Sequence, residues 1–149
     1  MSIRSLFSTP IYEACCEDAT LVAALEHMAR TLAEDDRAGR RWCKDHSYRG
    51  YTSYASLNDL PQRDPDAATL VKLLDRHVAS FAEACAFDLP KRLRCNSLWV
   101  NILKPGAMHS GHIHPHSVLS GTIYITVPEG AGGLRFEDPR LPMLMAAPT

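Results

Sequence analysis

Residues 99–140 read WVNILKPGAMHSGHIHPHSVLSGTIYITVPEGAGGLRFEDPR, and this stretch decides the fold. Within it, residues 120–127 alternate between hydroxyl-bearing and aliphatic side chains, which is the two-residue period of a strand with one buried face. Residues 111–117 are a short extended piece rich in histidine, and residues 128–133 (PEGAGG) form a turn before the next strand begins. The preceding residues 92–103 also alternate, so the whole stretch predicts short strands separated by turns.

The first ninety residues predict helices instead. Asp18 is a good N-cap for a helix that ends near Asp36. A second helix has Asp64 as its N-cap and Pro65 at the first helical position. The apolar positions at helical spacing are Leu21, Leu25, Met28 and Leu32 in the first helix, and Leu70, Leu73, Leu74, Val78 and Phe81 in the second.

Two segments around the first helix lack a helical period. Residues 3–14 predict a strand interrupted at a proline, and residues 37–63 are polar and aromatic, which predicts a long ordered loop. Two helices followed by short strands indicate an α+β fold, with a β-sheet or barrel that has helices packed on one side. We expect a single domain over residues 1–149, with a helical part at about 15–90 and a β-rich part at about 91–140.

Composition excludes several classes of protein. The chain has 149 residues, of which 46% are hydrophobic, and its formal net charge is −1. This charge predicts no nucleic-acid partner and no anionic membrane surface, and no apolar run approaches the ~20 residues of a membrane span. The sequence also predicts no signal peptide. Five cysteines without a CxxC pair predict reduced thiols and a cytoplasmic location.

The histidines carry the clearest chemical signal. Four of the seven histidines lie within eight residues: His109, His112, His114 and His116. Because residues i and i+2 of a strand share a face, His112 and His114 are placed to bind one metal ion, and His116 shares that face if the strand continues. His109 is a further metal or pocket candidate. Imidazole ligands suit iron(II), zinc, nickel or copper.

A surface tract without a metal is the alternative explanation of this cluster. Metal binding is favoured because the histidines lie between two strand-like segments. There is no carboxylate inside the cluster, so any acidic ligand must come from elsewhere in the chain.

The same stretch resembles a bacterial family of 2-oxoglutarate/Fe(II)-dependent oxygenases. The pattern of that family is Trp-x-Asn, His-x-His-Pro, Ser-Gly-x-x-Tyr and Gly-x-x-Phe-x-Asp-Pro-Arg. Its positions correspond here to Trp99, Asn101, His112, His114, Pro115, Ser120, Gly121, Tyr124, Gly133, Phe136, Asp138, Pro139 and Arg140. Residues 6–10 (LFSTP) are also similar to the start of the family.

The resemblance implies a double-stranded β-helix, a cupin-like jelly roll with the two N-terminal helices packed on one sheet. It implies Fe(II) as the metal, 2-oxoglutarate as the cosubstrate, and a dioxygenase that hydroxylates an unidentified small molecule or peptide. His112 is then the first iron ligand, and His114 stands where most such oxygenases have Asp or Glu. Asn101, Tyr124 and Ser120 are implied to line the cosubstrate pocket.

Such oxygenases supply a distal histidine and a basic residue for 2-oxoglutarate from strands further along the chain. No histidine follows His116. The chain therefore resembles the N-terminal portion of the family, and we expect the closing strands of the barrel to be missing. Either the domain is truncated or it completes its sheet in a homodimer, because unfinished sheets expose edge strands that favour association. Whether the isolated chain is an active enzyme stays open.

Other readings of the same residues remain. The spacing of Gly106, His112 and His114 fits the opening of a cupin motif, although Val118 and Leu119 occupy the positions of its glutamate. A non-catalytic module that binds a metal or dimerises is the alternative from a different class. A purely structural domain comes third and predicts that the histidines can be replaced without any effect on metal content or melting temperature.

Overall fold

A computed structural model of the chain describes residues 2–3 and 7–138. This part contains three α-helices, one short 3-10 helix and two short strands. In chain order they are α1 (Ala19–Asp35), α2 (Arg37–Asp45), β1 (Gly50–Thr52), the 3-10 helix (Leu60–Gln62), α3 (Pro65–Ala84) and β2 (Asn101–Leu103).

Helices α1 and α3 form as their sequence period predicts. The Asp18 carboxylate accepts a hydrogen bond from the backbone N–H of Leu21, which caps α1. In the same way Asp64 accepts from the backbone at the start of α3, where Pro65 occupies the first turn. The inward faces of the two helices meet in a core cluster of Leu21, Leu25 and Leu70.

The prediction of a long loop over residues 37–63 is wrong, because this segment contains α2, β1 and the 3-10 helix. Asp36 explains the start of α2. Its backbone ends α1, while its carboxylate caps α2 by accepting from Gly39 N–H and also accepts from the hydroxyls of Tyr51 and Ser56. A helix of nine residues spans only about 2.5 turns, too few to show a period in sequence.

Strands β1 and β2 pair antiparallel, with Gly50 opposite Leu103 and Thr52 opposite Asn101. The two strands approach so closely that a Cβ on Gly50 would collide with the carbonyl oxygen of Ile102, which explains the glycine. Helix α2 packs against β1 and α1 contacts β2. The described part of the chain is therefore α+β, with α1 and α2 against a small antiparallel sheet and α3 against α1.

The other predicted strands are not found in the described part of the chain. Of residues 92–103 only 101–103 form a strand, and residues 111–117, 120–127 and 7–14 form none. A strand requires a partner for its backbone N–H and C=O groups, and alternation of side chains does not supply that partner. The double-stranded β-helix therefore stays a prediction. Leu6, Pro139 and Arg140, which belong to the family-like pattern, lie outside the described residues.

The alternation of residues 120–127 nevertheless appears in their burial. Ile123 and Ile125 are partly buried and pack against the helical core, while Ser120, Thr122 and Tyr124 are exposed. The segment thus lies against the helices through its isoleucine side chains, although it joins no sheet among residues 7–138.

Two further predictions concern cysteines and membranes. All five cysteines are free thiols, and one of them, Cys43, is buried between α2 and β1. None of the helices in the described part is long and apolar enough to cross a membrane.

Candidate metal centre

A tight turn after β2 leads into the histidine segment, which we define as residues 109–114. In this turn the backbone N–H of Ala107 donates to the carbonyl of Lys104 at 2.9 Å. Gly106 has φ +70, a left-handed conformation that a glycine adopts without strain. The Arg49 guanidinium spans the turn and donates to the carbonyls of Gly106 and Pro105 at 3.2 and 3.4 Å.

His112 and His114 lie side by side at the end of this segment. Their ring centroids are 5.0 Å apart and their planes are tilted by 70°. Two imidazoles that bind one ion through nitrogens at about 2.1 Å have centroids about 4.5–5.2 Å apart. The observed separation thus fits a shared metal ion, and both side chains are exposed, which leaves them accessible to one.

A hydrogen bond fixes the orientation of the His112 ring. Its Nδ1 lies 2.8 Å from the carbonyl oxygen of Ser110. A carbonyl only accepts, so Nδ1 carries a proton, and in the neutral imidazole Nε2 is then the nitrogen with the free lone pair. Metal-binding histidines commonly have this arrangement, in which a backbone carbonyl holds the nitrogen that does not bind the metal.

His109 is engaged differently. Its Nε2 lies 2.8 Å from the hydroxyl of Tyr48, and the two rings are tilted with centroids 5.3 Å apart. Burial, and next the nearby Cys43, raise the pKa of Tyr48 to about 12, so the phenol keeps its proton at neutral pH and can donate it. Burial and then the charge of His112 lower the pKa of His109, which favours the neutral imidazole as the acceptor.

His116 is turned away from the other histidines by a β-turn. The N–H of Ser117 donates to the carbonyl of His114 at 3.3 Å, and His116 has φ +65. Pro115 followed by a residue with positive φ is typical of a type II turn. The extended chain thus ends at His114, and the continued strand that would bring His116 to the same face does not form.

The implied cosubstrate residues lie apart from the histidines. In the amide orientation that satisfies both of its polar atoms, Asn101 in β2 donates from its nitrogen to Thr52 Oγ1 at 2.6 Å and to the Val100 carbonyl at 3.2 Å, and its oxygen accepts from Trp99 Nε1 at 3.3 Å. Tyr124 is 55% exposed, and Ser120 is also exposed. Across residues 7–138, neither side chain makes a hydrogen bond or ring contact with the histidine segment.

Sequence reasoning missed two aromatic neighbours of the histidines. The ring centroid of Trp99 lies 5.9 Å from that of His114, and Tyr54 contacts Trp99 edge-on with centroids 5.2 Å apart. Tyr48 is the second, at His109. The available signals were the aromatic content of residues 37–63 for Tyr48 and Tyr54 and the family-like pattern for Trp99, but neither indicated which ring meets which histidine.

The carboxylate of Glu137 passes beside the same segment. A Cβ placed on Gly111 would lie 4.0 Å from its Oε2, while Oε1 is 3.7 Å from the Arg135 guanidinium. Among the residues that the structure describes, no group of three or more His, Cys, Asp or Glu side chains is arranged to hold a metal ion. The structure therefore shows a pair of adjacent imidazoles and no complete metal site.

A family model gives this pair its context. Residues 97–149 match the family described as "Putative 2OG-Fe(II) oxygenase". This match confirms the resemblance seen in the sequence, covers about a third of the chain, and includes β2 and the whole histidine segment. No curated protein matches the chain.

The matched family implies Fe(II) and 2-oxoglutarate. Imidazole nitrogens are suitable donors for Fe(II), and the hydrogen bond of His112 Nδ1 to Ser110 leaves its Nε2 available to bind the ion. His112 and His114 thus fit the part of such a centre that a His-x-His pair supplies, and the zinc and nickel alternatives gain no support from the family match.

Proposed function

We propose that this chain is a 2-oxoglutarate- and Fe(II)-dependent oxygenase that hydroxylates a C–H bond of a small-molecule or peptide substrate. The observation that carries the proposal is the 5.0 Å separation of the His112 and His114 rings inside the segment that matches the oxygenase family. Bound Fe(II) and 2-oxoglutarate would together activate dioxygen, which is the oxidant: one of its oxygen atoms would go to the substrate carbon and the other to succinate, with release of CO2.

The roles of the protein are to bind and to orient. His112 binds the ion through Nε2, because Ser110 holds its Nδ1–H. His114 supplies the second nitrogen, and the indole of Trp99 lies beside its ring. Because both imidazoles are exposed, the ion that they bind keeps open positions for the cosubstrate.

Asn101 supports this centre from β2. Its amide accepts from the indole N–H of Trp99 and donates to Thr52, which is 3% exposed. We therefore propose that Asn101 fixes the Trp99 ring beside His114. Tyr124 and Ser120 remain proposed pocket residues, and a Tyr124→Phe variant with weaker 2-oxoglutarate binding would support that role.

The decisive experiment is an anaerobic titration of the purified chain with Fe(II) and then with 2-oxoglutarate. The signal is the visible charge-transfer band that appears when a keto acid chelates bound iron. We expect a saturable band that disappears in His112→Ala and in His114→Ala. His27→Ala is the matched control, since it removes an exposed histidine from α1 and should leave the band unchanged.

Two results would contradict the proposal. A band of full intensity in His112→Ala would mean that iron is held elsewhere. Tight iron binding without any band would replace the oxygenase with a cupin-like or non-catalytic metal-binding module.

A further inference from the structure

The histidine segment is held mainly by contacts from a distant part of the sequence. Its residues form no ladder hydrogen bonds within the described chain. Tyr48 reaches it through the 2.8 Å hydrogen bond to His109, which lies 61 positions further along the chain. The neighbouring Arg49 holds the preceding turn through Gly106 and Pro105, and its own carbonyl accepts from the N–H of Lys104 at 3.2 Å.

Tyr48 is itself held in place. Its N–H donates to the carbonyl of Cys43 at 2.8 Å, and its carbonyl accepts from Gly50 N–H at 2.9 Å. Its ring lies against Trp42 with centroids 6.4 Å apart, and Trp42 in turn stacks on His46 at 4.1 Å. The hydroxyl therefore projects from a rigid corner between α2 and β1.

Ring contacts continue from this corner to the proposed ligands. The centroids of His109 and His112 are 6.0 Å apart, and those of His112 and His114 are 5.0 Å apart. Trp99 meets the far end at His114. The proposed ligands thus lie between two aromatic residues that belong to the folded part of the molecule.

We propose that Tyr48 is a positioning residue of the metal centre. Its hydrogen bond to Nε2 of His109 makes His109 a structural anchor of the histidine segment and not a metal ligand. This anchor sets where His112 and His114 lie. This inference rests on the proposed function, because it takes His112 and His114 as the metal-binding pair.

The physical reason is preorganisation. An exposed segment without ladder hydrogen bonds must lose conformational freedom when its two histidines converge on an ion, and that entropy opposes binding. A hydrogen bond that holds one end of the segment before the ion arrives removes part of this cost. Groups that hydrogen-bond a metal-binding histidine directly typically change affinity by about 10–100-fold, and Tyr48, which acts through His109, should fall at or below the lower end of that range.

The first test compares Tyr48→Phe with Tyr12→Phe in anaerobic Fe(II) binding against a competing chelator. Tyr48→Phe keeps the ring and deletes only the hydroxyl, so we expect Fe(II) to bind up to about 10-fold more weakly. Tyr12→Phe is a matched control, because it deletes a second tyrosine hydroxyl that pairs with a histidine, His77 Nδ1 at 2.9 Å. Unchanged affinity in Tyr48→Phe would overturn the inference.

A second set of variants tests whether His109 is a structural anchor or a metal ligand. His109→Gln keeps an acceptor for the Tyr48 hydroxyl, so it should bind Fe(II) much like the wild type. His109→Ala has no such acceptor and should lose as much Fe(II) affinity as Tyr48→Phe. The double variant Tyr48→Phe/His109→Ala should be no weaker than either single variant, because both break the same bond. If His109→Gln is as weak as His109→Ala, His109 is a ligand and the inference is wrong.

A metal-free measurement guards against simple unfolding. Imidazole NMR resonances of His109 and His112 should shift in Tyr48→Phe, while methyl resonances of Leu25 in the core should not. Unshifted imidazole resonances would overturn the inference. His112→Ala distinguishes the two levels: retained iron binding there defeats the proposed function itself, whereas its loss, with full binding in Tyr48→Phe, defeats only the positioning role.

Discussion

The helical region (residues 18–84) and the extended region (residues 92–138) of this chain pair their backbone N–H and C=O groups in different ways. Each α-helix begins at an aspartate that accepts from its first turn, and the two long helices share a buried leucine cluster. In the extended region only three residues join a strand, and large apolar side chains are exposed, among them Ile113 at 82% and Phe136 at 65%.

The difference follows from where each element finds its hydrogen-bond partners. A helix pairs its N–H and C=O groups within one segment, so its sequence needs only a cap and an apolar face. An extended segment must pair with another segment, and the same alternating sequence stays unpaired when no partner is adjacent. A candidate site on such a segment depends on contacts from the folded region, as Tyr48 and Trp99 provide here.

Amide hydrogen exchange should show the largest contrast between the two regions. Interior amides of α1 and α3 open only with the core, so they should exchange at least about 1,000-fold more slowly than amides of residues 111–127. Mass spectrometry of peptides after exchange measures this directly. Equal protection in residues 120–127 would mean that they pair as a strand in solution, and its dependence on protein concentration would then identify a second copy as the partner.

Truncation of a buried leucine should have the largest effect on stability. Leu25 is 2% exposed in the core cluster, so Leu25→Ala should lower the free energy of unfolding by about 2–5 kcal/mol. Met108 is 79% exposed, and Met108→Ala should change it by less than about 0.5 kcal/mol. Denaturant unfolding followed by circular dichroism measures both. Comparable losses would show that the extended region is as well packed as the helices.

Asp36 should make stability depend on pH at the junction of α1 and α2. Burial raises the pKa of Asp36, but hydrogen bonds from Gly39, Ser56 and Tyr51 lower it by more, so the pKa lies below its usual value. A carboxylate with a lowered folded-state pKa stabilises the fold above its unfolded-state pKa of about 4, and this contribution is lost as the pH falls through the folded-state pKa.

At pH 7, Asp36→Ala should lower the free energy of unfolding by about 1–2 kcal/mol because the cap of α2 is removed. The deficit should shrink below pH 4, where the wild type loses its own carboxylate. Melting temperatures recorded from pH 2 to pH 7 test this, and Asp35→Ala serves as control because Asp35 is an exposed neighbouring carboxylate. A deficit that stays constant with pH would remove the electrostatic part of the argument.

Sequence predicted the parts of the fold whose causes are local. The caps at Asp18 and Asp64 and the apolar spacing along α1 and α3 are sufficient causes of those helices, and both were found. Helix α2 was missed because it is short and depends on Asp36 together with the distant Tyr51 and Ser56. Pairing of β1 with β2 joins segments about fifty residues apart, which no local period encodes.

The candidate site divides in the same way. The i, i+2 spacing of His112 and His114 was sufficient to predict that their rings lie together, because an extended chain fixes that relation. The turn at His116 and the hydrogen bond from Tyr48 to His109 were not predicted. A proline followed by a residue with positive φ is a weak signal of a turn, and a contact across 61 positions leaves no signal in a single sequence.

The contact between the two regions should give the smallest of the stability effects. Ile125 is partly buried against the helical core, so Ile125→Ala should cost about 1 kcal/mol, roughly half of what full burial of such a side chain contributes. Val127→Ala, on the same apolar face but 58% exposed, should cost less. Thr126 adds a polar contact between the two regions, because its side chain hydrogen-bonds Glu26 on α1. Hydrogen bonds from Arg30 and then from Thr126 lower the pKa of Glu26. If Ile125→Ala leaves the unfolding midpoint unchanged, residues 120–127 do not rest on the helices in solution, and the histidine segment must be held by Tyr48, Arg49 and Trp99 alone.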